Sequence, residues 1–153
     1  MDILEFNGRA IGCGGFVNIT RTAKKVVFAG SFTAGGLKTA ISNGELVIVQ
    51  EGKTKKFVDL VEQVTFSGKY AAKAKQPLLY VTERCVFTIE NEQMTLIEIA
   101  PGIDLERDIL AQMEFKPRIS PHLKLMEAGI YQPRWGGLRK CIEGRSKTKS
   151  AGE

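Results

Sequence analysis

The sequence predicts a single β-rich domain that contains one clear helix. Short apolar segments rich in valine, isoleucine and phenylalanine recur between glycine-containing breaks, which is typical of strands. An Asn-Gly pair separates two of these segments, as in a tight hairpin. A chain of 153 residues, 43% hydrophobic and 25% charged, has the size and composition of one globular domain with its own core.

The amino-terminal half is predicted to begin with a loop and to continue as strands. Gly8–Phe16, GRAIGCGGF, holds four glycines in nine residues, too many for a helix or a strand. The run KKVVFAGSF at 24–32 predicts a buried strand. LKTAI and LVIVQ predict a hairpin, because Asn43-Gly44 between them accepts the positive φ angles of a tight turn. Residues 61–67 predict another extended segment, and residues 68–76 a short helix that ends before Pro77.

The carboxy-terminal half predicts two strands and then a helix. PLLYVTERCVFTI and MTLIEIA read as strand-like segments around the turn ENEQ. The helix is predicted at 103–113, where Leu105, Ile109 and Met113 repeat every four residues and Asp104 can cap the start. Glu106 and Asp108 place negative charge in the first turn, where the helix dipole favours it. Residues 118–131 contain apolar side chains without a clean period.

Cysteine and histidine usage excludes several kinds of site. Cys13, Cys85 and Cys141 lie far apart and form no C-x-x-C pair, so neither a disulfide framework nor a zinc site is predicted. The chain has one histidine, His122, which excludes a histidine-based metal cluster. No apolar run approaches the roughly 18 residues that span a bilayer, and the start lacks the pattern of a secretory signal. We therefore expect a cytoplasmic protein with no metal and no membrane partner.

The formal charge of +5 is concentrated near the end of the chain. Without the last twenty residues the balance is close to neutral. The excess there favours a solvated tail over a nucleic-acid partner, because no aromatic pattern beyond Trp135 accompanies it. The basic residues of this segment are Arg134, Arg139, Lys140, Arg145, Lys147 and Lys149.

The glycine loop is the first candidate for chemistry. Successive glycine N–H groups can hold a phosphate or an oxyanion, but the same pattern suits a bend with close backbone packing. Neither G-x-G-x-x-G nor a Walker loop is present, and VNIT after the loop is poor helix sequence. Cys13 within the loop could be a nucleophile, although His122 lies far away in sequence and fits a surface loop better than a general base.

Four carboxylates are candidate acids or bases by residue type. Their spacing does not distinguish a working pair from residues at strand edges and helix caps. They are Glu83, Glu98, Asp104 and Glu106.

Longer stretches carry a family resemblance. Together they resemble the carboxy-terminal part of the family I coenzyme A transferases, in particular the fused-subunit acyl-CoA:acetate/3-ketoacid type, which includes propionate CoA-transferases. The likeness runs from Phe6 to Tyr131, with the motifs in the same order. The stretches are GCGGFVNITRTAKKVVFAGSFTAGGLK, KKFVDLVEQVTFSGKY, LLYVTERCVFTI and LIEIAPGIDLERDILAQMEFKPRISPHLKLMEA.

The resemblance implies an α/β fold, here a β-rich partial CoA-transferase domain that matches the β-subunit-like portion. That domain would occupy residues 6–131, and residues 132–153 would form a basic, disordered tail. Coenzyme A thioesters would be substrates, with no permanently bound cofactor. The second substrate would be a short-chain carboxylate such as acetate or a 3-keto acid.

The family reaction passes CoA between carboxylates by a ping-pong route through a glutamyl-CoA thioester. It needs a carboxylate nucleophile and N–H donors that hold the oxyanion of each tetrahedral intermediate. Gly12, Cys13, Gly14 and Gly15 resemble the mobile G-x-G-G loop of the family. The resemblance implies that the backbone N–H of Gly12 contributes to the oxyanion hole.

The nucleophilic glutamate is expected outside this chain. In the family it lies well before the loop in a Glu-Xaa-Gly setting, whereas only eleven residues precede Gly12 here, and Glu5 is followed by Phe6-Asn7-Gly8. We therefore expect a partner that supplies the missing amino-terminal CoA-transferase portion, or a homo-oligomer. Two alternatives stay open: a non-catalytic assembly or binding module that uses an open sheet edge, and an inactive remnant.

Overall fold

A computed structural model of the protein describes residues 5–6, 9–10, 15–59, 76–137, 139 and 142. The elements in chain order are strands β1 (Glu5–Phe6) and β2 (Arg9–Ala10), helix α1 (Phe16–Thr22), strands β3 (Val26–Ala29), β4 (Thr33–Ala34), β5 (Lys38–Ser42), β6 (Glu45–Gln50), β7 (Thr54–Lys55), β8 (Leu78–Val81), β9 (Cys85–Glu90) and β10 (Gln93–Ile99), a π-helical turn (Leu105–Ile109), a 3-10 turn (Leu110–Gln112), strand β11 (Arg118–Leu125) and a second 3-10 turn (Ala128–Tyr131).

A mixed five-stranded sheet forms the centre of the molecule. Its strand order is β11-β10-β9-β8-β3, with parallel pairs at both ends and antiparallel pairs in the middle. The seven-residue helix α1 precedes its first strand in the chain. The prediction of a β-rich α/β fold is confirmed.

A long excursion connects β3 with β8 and includes residues 30–59. Its base is the antiparallel pair β4–β7, and its outer part is the hairpin β5–β6. Asn43 and Gly44 have φ angles of 54° and 80° at the hairpin turn, so the predicted Asn-Gly turn is confirmed. The hairpin folds back onto the body, because the Leu46 N–H donates to the Pro101 carbonyl at 2.8 Å and the Leu46 side chain is buried.

The two faces of the sheet carry separate hydrophobic clusters. The first is centred on Phe32, Phe87, Leu96 and Ile109, all fully buried. In the second cluster, Leu46 of the hairpin packs with four buried residues of the body: Val86, Ala100, Met126 and Tyr131. Both faces of the central strands are therefore covered, as the apolar sequences of those strands require.

The segment after the glycine loop is a helix, contrary to its sequence. Phe16–Thr22 contains four β-branched residues, which lowers helix propensity. A tertiary contact favours the helix here: the Gln76 side-chain amide donates to the carbonyls of Thr20 (2.8 Å) and Ala23 (2.6 Å). These bonds satisfy acceptors that a helix end otherwise leaves open. The predicted strand at 24–32 follows, but it is shorter than predicted and ends at Ala29.

The segment predicted as one strand at 77–89 is two antiparallel strands. A sharp turn at Glu83-Arg84 separates β8 from β9, and the Thr82 N–H donates to the Cys85 carbonyl at 2.9 Å across it. Thr82 also fixes the turn through its hydroxyl, which donates to the same carbonyl at 3.0 Å. No glycine, proline or asparagine marks this turn, so the sequence pattern did not show it. The predicted turn at 90–93 is confirmed, with positive φ at Asn91 and Glu92.

The predicted helix at 103–113 is a π-helical turn followed by a 3-10 turn. Asp104 caps its start, since its carboxylate accepts from the Arg107 N–H at 2.7 Å, and this part of the prediction is confirmed. Ile109 and Met113 are buried as the spacing predicts. The Asp108 carbonyl, at the end of the π-helical turn, also accepts from the Arg84 side chain at 2.8 Å.

Residues 118–125, which showed no clean period, form strand β11 at the end of the described sheet. The strand contains Pro121, which cannot donate a ladder hydrogen bond. Its pairing with β10 shifts register between Ile119 and Lys124, so the proline lies where the ladder is interrupted. The predicted segments at 61–67 and 68–76 lie outside the described residues except for Gln76, as does most of the tail beyond Gly137.

Candidate functional site

The predicted glycine loop leads directly into α1. Gly15 is the N-cap residue, and its carbonyl accepts from the Ile19 N–H at 2.9 Å. A Cβ atom at Gly15 would lie 3.5 Å from the Ile19 side chain, an ordinary contact, so packing does not require glycine at this position. Gly12, Cys13 and Gly14 lie outside the described residues, and their predicted role stays a prediction.

A cleft opens where the parallel strands β3 and β8 end. Gly30 and Ser31 follow β3, Val81 and Thr82 end and follow β8, and all four line the cleft. The carboxyl ends of parallel strands are the usual place for ligands in α/β sheets. The cavity has a volume of about 130 Å³. Its wall is mainly apolar, with side chains from the sheet, the excursion and the segment before β11: Phe28, Phe57, Val58, Tyr80, Met94 and Phe115.

Lys56 supplies the cationic group of the cleft. Its ammonium donates to the Ser31 carbonyl at 2.7 Å, and its side chain is exposed. A Cβ atom at Gly30 would lie 3.3 Å from Nζ, so the ammonium rests directly over the glycine backbone. An ammonium group has three donors, so two are left for a ligand beside the one given to Ser31.

A buried guanidinium holds the base of the excursion beside this cleft. Arg84 is fully buried and forms salt bridges with Glu51 and Glu83, each at 2.7 Å. Its Cζ atom lies 4.8 Å from the centre of the Phe32 ring, within the range of a cation–π contact. Glu83 in turn accepts from the Phe32 N–H at 2.9 Å. Arg84 is thus enclosed between the segment that follows β3, at Phe32, and the segment that follows β6, at Glu51.

The electrostatics of this cluster favour the charged forms. Burial alone would raise the pKa of Glu51, but hydrogen bonds from Arg84, Thr33 and the Gly52 N–H outweigh it and lower that pKa below its usual value. Burial alone would likewise lower the pKa of Arg84, yet pairing with Glu51 and Glu83 raises it. A fully paired cluster of this kind positions its neighbours and offers no free proton donor or acceptor.

Cys85 is not a candidate nucleophile. Burial raises the pKa of its thiol to about 12, and the side chain is fully enclosed behind the β8–β9 turn. The thiolate is the reactive form of cysteine, so this thiol is inert near neutral pH. Cys13 and Cys141 lie outside the described residues.

The other predicted candidates do not meet at one site. Glu98 pairs with Lys124 at 3.2 Å across β10 and β11, Asp104 caps the π-helical turn, and Glu106 is exposed in that turn. His122 is exposed on β11. Of the four predicted carboxylates, Glu83 alone lies beside the cleft, as a partner of Arg84 and not as a free acid or base.

Two residues of the site were missed by the sequence reasoning. Arg84 and Lys56 each lie in the stretches that resemble the family, but no local motif singles them out. An arginine between two β-rich segments, ERC, is the one signal that could have suggested a buried ion pair.

Within the described residues, no group of three or more metal-binding side chains comes together, and no helix is long and apolar enough to cross a bilayer.

Comparison with known proteins shows strong similarity over most of the chain. Caffeate CoA-transferase of Acetobacterium woodii is 58% identical over 130 residues, which are 85% of this chain and 25% of that protein. Acetate CoA-transferase YdiF of Escherichia coli K12 is 51% identical over 127 residues, 83% of this chain and 24% of that protein. The chain therefore spans about a quarter of the length of the curated relatives it matches. No protein-family profile matches it.

The solved structures agree with the sequence comparison. The crystal structure of acyl-CoA transferase YdiF from E. coli O157:H7, as a thioester complex with CoA, superposes with a TM-score of 0.85 and 48% sequence identity. The alignment covers 90% of this chain and 27% of that chain, and the apoenzyme gives the same values. The resemblance carried by the sequence motifs is confirmed, and the fold is that of a partial domain of such an enzyme.

Proposed function

We propose, on the premise that this chain is homologous to part of a family I coenzyme A transferase, that it takes part in moving CoA from an acyl-CoA to a carboxylate. The sequence identity of 58% to a CoA-transferase is the observation that carries the proposal. The carboxylate acceptor would be of the kinds named for the two relatives, acetate or caffeate. Coenzyme A thioesters would be substrates and not resident cofactors.

The role proposed for this chain is to stabilise the oxyanion. Gly12 would donate its backbone N–H to the tetrahedral intermediate, and Cys13, Gly14 and Gly15 would shape the loop around it. The position of Gly15 at the start of α1 supports this assignment, since the loop then ends where helix N–H groups are unpaired. The glutamate nucleophile would come from a partner chain that carries the remaining portion of the transferase.

Complementation tests this role. The purified chain would be mixed with an acyl-CoA transferase from which the quarter matching this chain has been removed, together with acetyl-CoA and labelled propionate. We expect labelled propionyl-CoA and, by mass spectrometry, a CoA adduct on a glutamate of the partner. Neither protein should be active alone. A CoA adduct on a glutamate of this chain would contradict the assignment of the nucleophile.

The variant Gly12→Pro tests the oxyanion donor, because proline has no N–H. In other enzymes, removing one oxyanion-hole donor lowers kcat by about 10²–10³-fold. We expect a loss of this size in the complemented reaction with unchanged assembly. Gly136→Ala serves as the control, since a Cβ at Gly136 meets nothing within 4 Å. Equal turnover by Gly12→Pro and Gly136→Ala would refute the oxyanion role.

A non-catalytic assembly module is the second candidate function. The outer part of the hairpin exposes Ile41 (55%), Val47 (43%) and Val49 (62%), which suits an interface better than free solvent. Size-exclusion chromatography coupled to light scattering tests this candidate. A monomer at high concentration that also fails to bind the remaining portion of the transferase would exclude it.

The third alternative is that the chain is an inactive remnant. In that case we expect its thermal unfolding to show no cooperative transition.

A further inference from the structure

We infer that the outer edge of β5 is a self-association surface, where β5 of one copy pairs antiparallel with β5 of a second copy about a two-fold axis at Ala40. The pairing gives the assembly candidate a defined surface and a defined partner. It depends neither on CoA transfer nor on the glycine loop, so its test is separate from that of the proposed oxyanion role.

Strand β5 is the outer strand of the hairpin. On the other side of the hairpin, β6 lies against the body: the Leu46 N–H donates to the Pro101 carbonyl at 2.8 Å, and a Cβ atom at Gly102 would lie 2.8 Å from the Leu46 carbonyl oxygen. All five residues of β5 are exposed. Among the described residues, β6 is the only strand that pairs with β5, so its other edge is open.

The pairing of β5 with β6 determines which backbone groups point outward. Leu46 lies opposite Ile41, and its N–H leaves the hairpin toward Pro101, so these two residues form a non-hydrogen-bonded pair. In such a pair the N–H and C=O groups of both residues point away from the partner strand, and the two kinds of pair alternate along the ladder. The groups of Ile41 therefore point outward, and so do those of Thr39, because the register does not shift between the two.

These outward groups are self-complementary. When two copies of β5 run antiparallel with Ala40 on the axis, Thr39 of each copy lies opposite Ile41 of the other, and both are hydrogen-bonded pairs. Ala40 then faces Ala40 of the second copy in the non-hydrogen-bonded position, where side chains approach most closely and a small residue fits. A register shifted by one residue would place outward groups opposite groups that point the other way.

The side chains complete this arrangement. Val47, 43% exposed, lies beside Ala40 across the hairpin, so the pairing joins the Val47 and Ala40 side chains of both copies into one apolar stripe. At the ends of the strand, Lys38 of one copy lies opposite Ser42 of the other, whose neighbour on β6 is Glu45. Opposite charges therefore approach each other across the interface, which favours this partner.

The edge of β5 lacks the features that usually prevent edge pairing. Natural edge strands are protected by proline, by charged residues or by bulges. Strand β11, at one end of the described sheet, contains Pro121 and Lys124, and its ladder is interrupted. Strand β5 has no proline, and its one charged residue, Lys38, is at its first position. An unprotected edge of this kind is suited to strand addition.

Charge substitutions at Ala40 test the inferred register, because this residue would face its own copy on the axis. Ala40→Lys and Ala40→Glu should each weaken self-association about fivefold, as measured by sedimentation velocity over a range of protein concentrations. An equimolar mixture of the two variants should associate at least as well as wild type, since opposite charges then face each other. Ala111→Lys is the matched control and should behave as wild type, because Ala111 is also exposed but lies in the 3-10 turn Leu110–Gln112.

Amide hydrogen exchange on the full chain locates the contact. As the protein concentration rises, the N–H groups of Thr39 and Ile41 should become protected, while that of Ala40, bonded within the hairpin, should keep its exchange rate. A wild type that is monomeric throughout, or a mixture that associates no better than either variant alone, would overturn the inference. Binding of the remaining portion of the transferase by an otherwise monomeric chain would overturn it in favour of that occupant. Self-association without complemented turnover would instead count against the proposed function alone.

Discussion

Arg84 donates two hydrogen bonds to the carboxylate of Glu51, at 2.7 and 3.1 Å. The two residues are far apart in sequence, one in the β8–β9 turn and the other directly after β6. Glu83 accepts a third bond from the Nε of Arg84 at 2.7 Å. A planar guanidinium between two carboxylates uses its fork geometry fully, which an ammonium could not do.

Replacing Arg84 with methionine should be strongly destabilising. The variant leaves two partly buried carboxylates without their partner, which typically costs about 3–5 kcal/mol. Urea unfolding followed by circular dichroism measures the effect. Lys124→Met is the matched control: Lys124 also pairs with a carboxylate, that of Glu98 at 3.2 Å, but its side chain is 69% exposed, so a cost below about 1 kcal/mol is expected. Equal costs in the two variants would contradict the role of burial.

Stability should fall as the pH falls through the acid range. Hydrogen bonds from Arg107 lower the pKa of Asp108 below its ordinary 3.8, and the network described above lowers that of Glu51 below 4.5. A carboxylate with a lowered folded pKa contributes stability above its unfolded pKa and loses it as pH falls through the folded pKa. We expect the free energy of unfolding to decrease from pH 4.5 downward. Glu51→Gln should flatten this decrease, as measured by urea unfolding at several pH values.

Cys85 should be unreactive in the folded protein. Its thiol, with a pKa of about 12, lacks the thiolate that alkylation requires. In the variant that carries both Cys13→Ser and Cys141→Ser, Cys85 is the remaining thiol. At pH 8 we expect no alkylation by iodoacetamide in buffer and complete alkylation in urea. Modification at equal rates in the two conditions would show that the residue is accessible.

Gly52 should not tolerate a side chain. A Cβ atom there would overlap the Ala34 carbonyl and lie 2.6 Å from the Thr33 hydroxyl oxygen. We expect Gly52→Ala to lower the unfolding free energy by about 1–3 kcal/mol. Gly136→Ala meets open space and should change stability by less than about 0.5 kcal/mol. Thermal unfolding of the two variants side by side checks the difference.

The hairpin and the cap show what the sequence could predict. Asn43-Gly44 and Asp104 act through local backbone preferences, which depend on few neighbours, and both predictions are confirmed. The repeat of Ile109 and Met113 also predicted the buried face, although the backbone between them is a π-helical turn. The turn contacts Arg84, a residue distant in sequence, which a local pattern does not include.

The remaining misses have the same physical origin. Helix α1 depends on Gln76, which reaches it from far along the chain and binds its last carbonyls. The β8–β9 turn depends on Thr82 and carries no typical turn residue. The cleft combines β3, β8 and the excursion, so no contiguous motif describes it. The loop residues Gly12, Cys13 and Gly14 were found by resemblance alone, and their role stays a prediction.

The pairing of β3 with β8 has a consequence for how the chain folds. Val26 lies beside Leu78, so forming this parallel pair closes a loop that contains the whole excursion. Large loops cost entropy before any contact compensates for it, which slows folding of such topologies. The β9–β10 hairpin, by contrast, joins neighbours through a two-residue turn. We expect folding to begin at that hairpin and to finish when the excursion closes around Arg84, which makes closure of the cleft a late step.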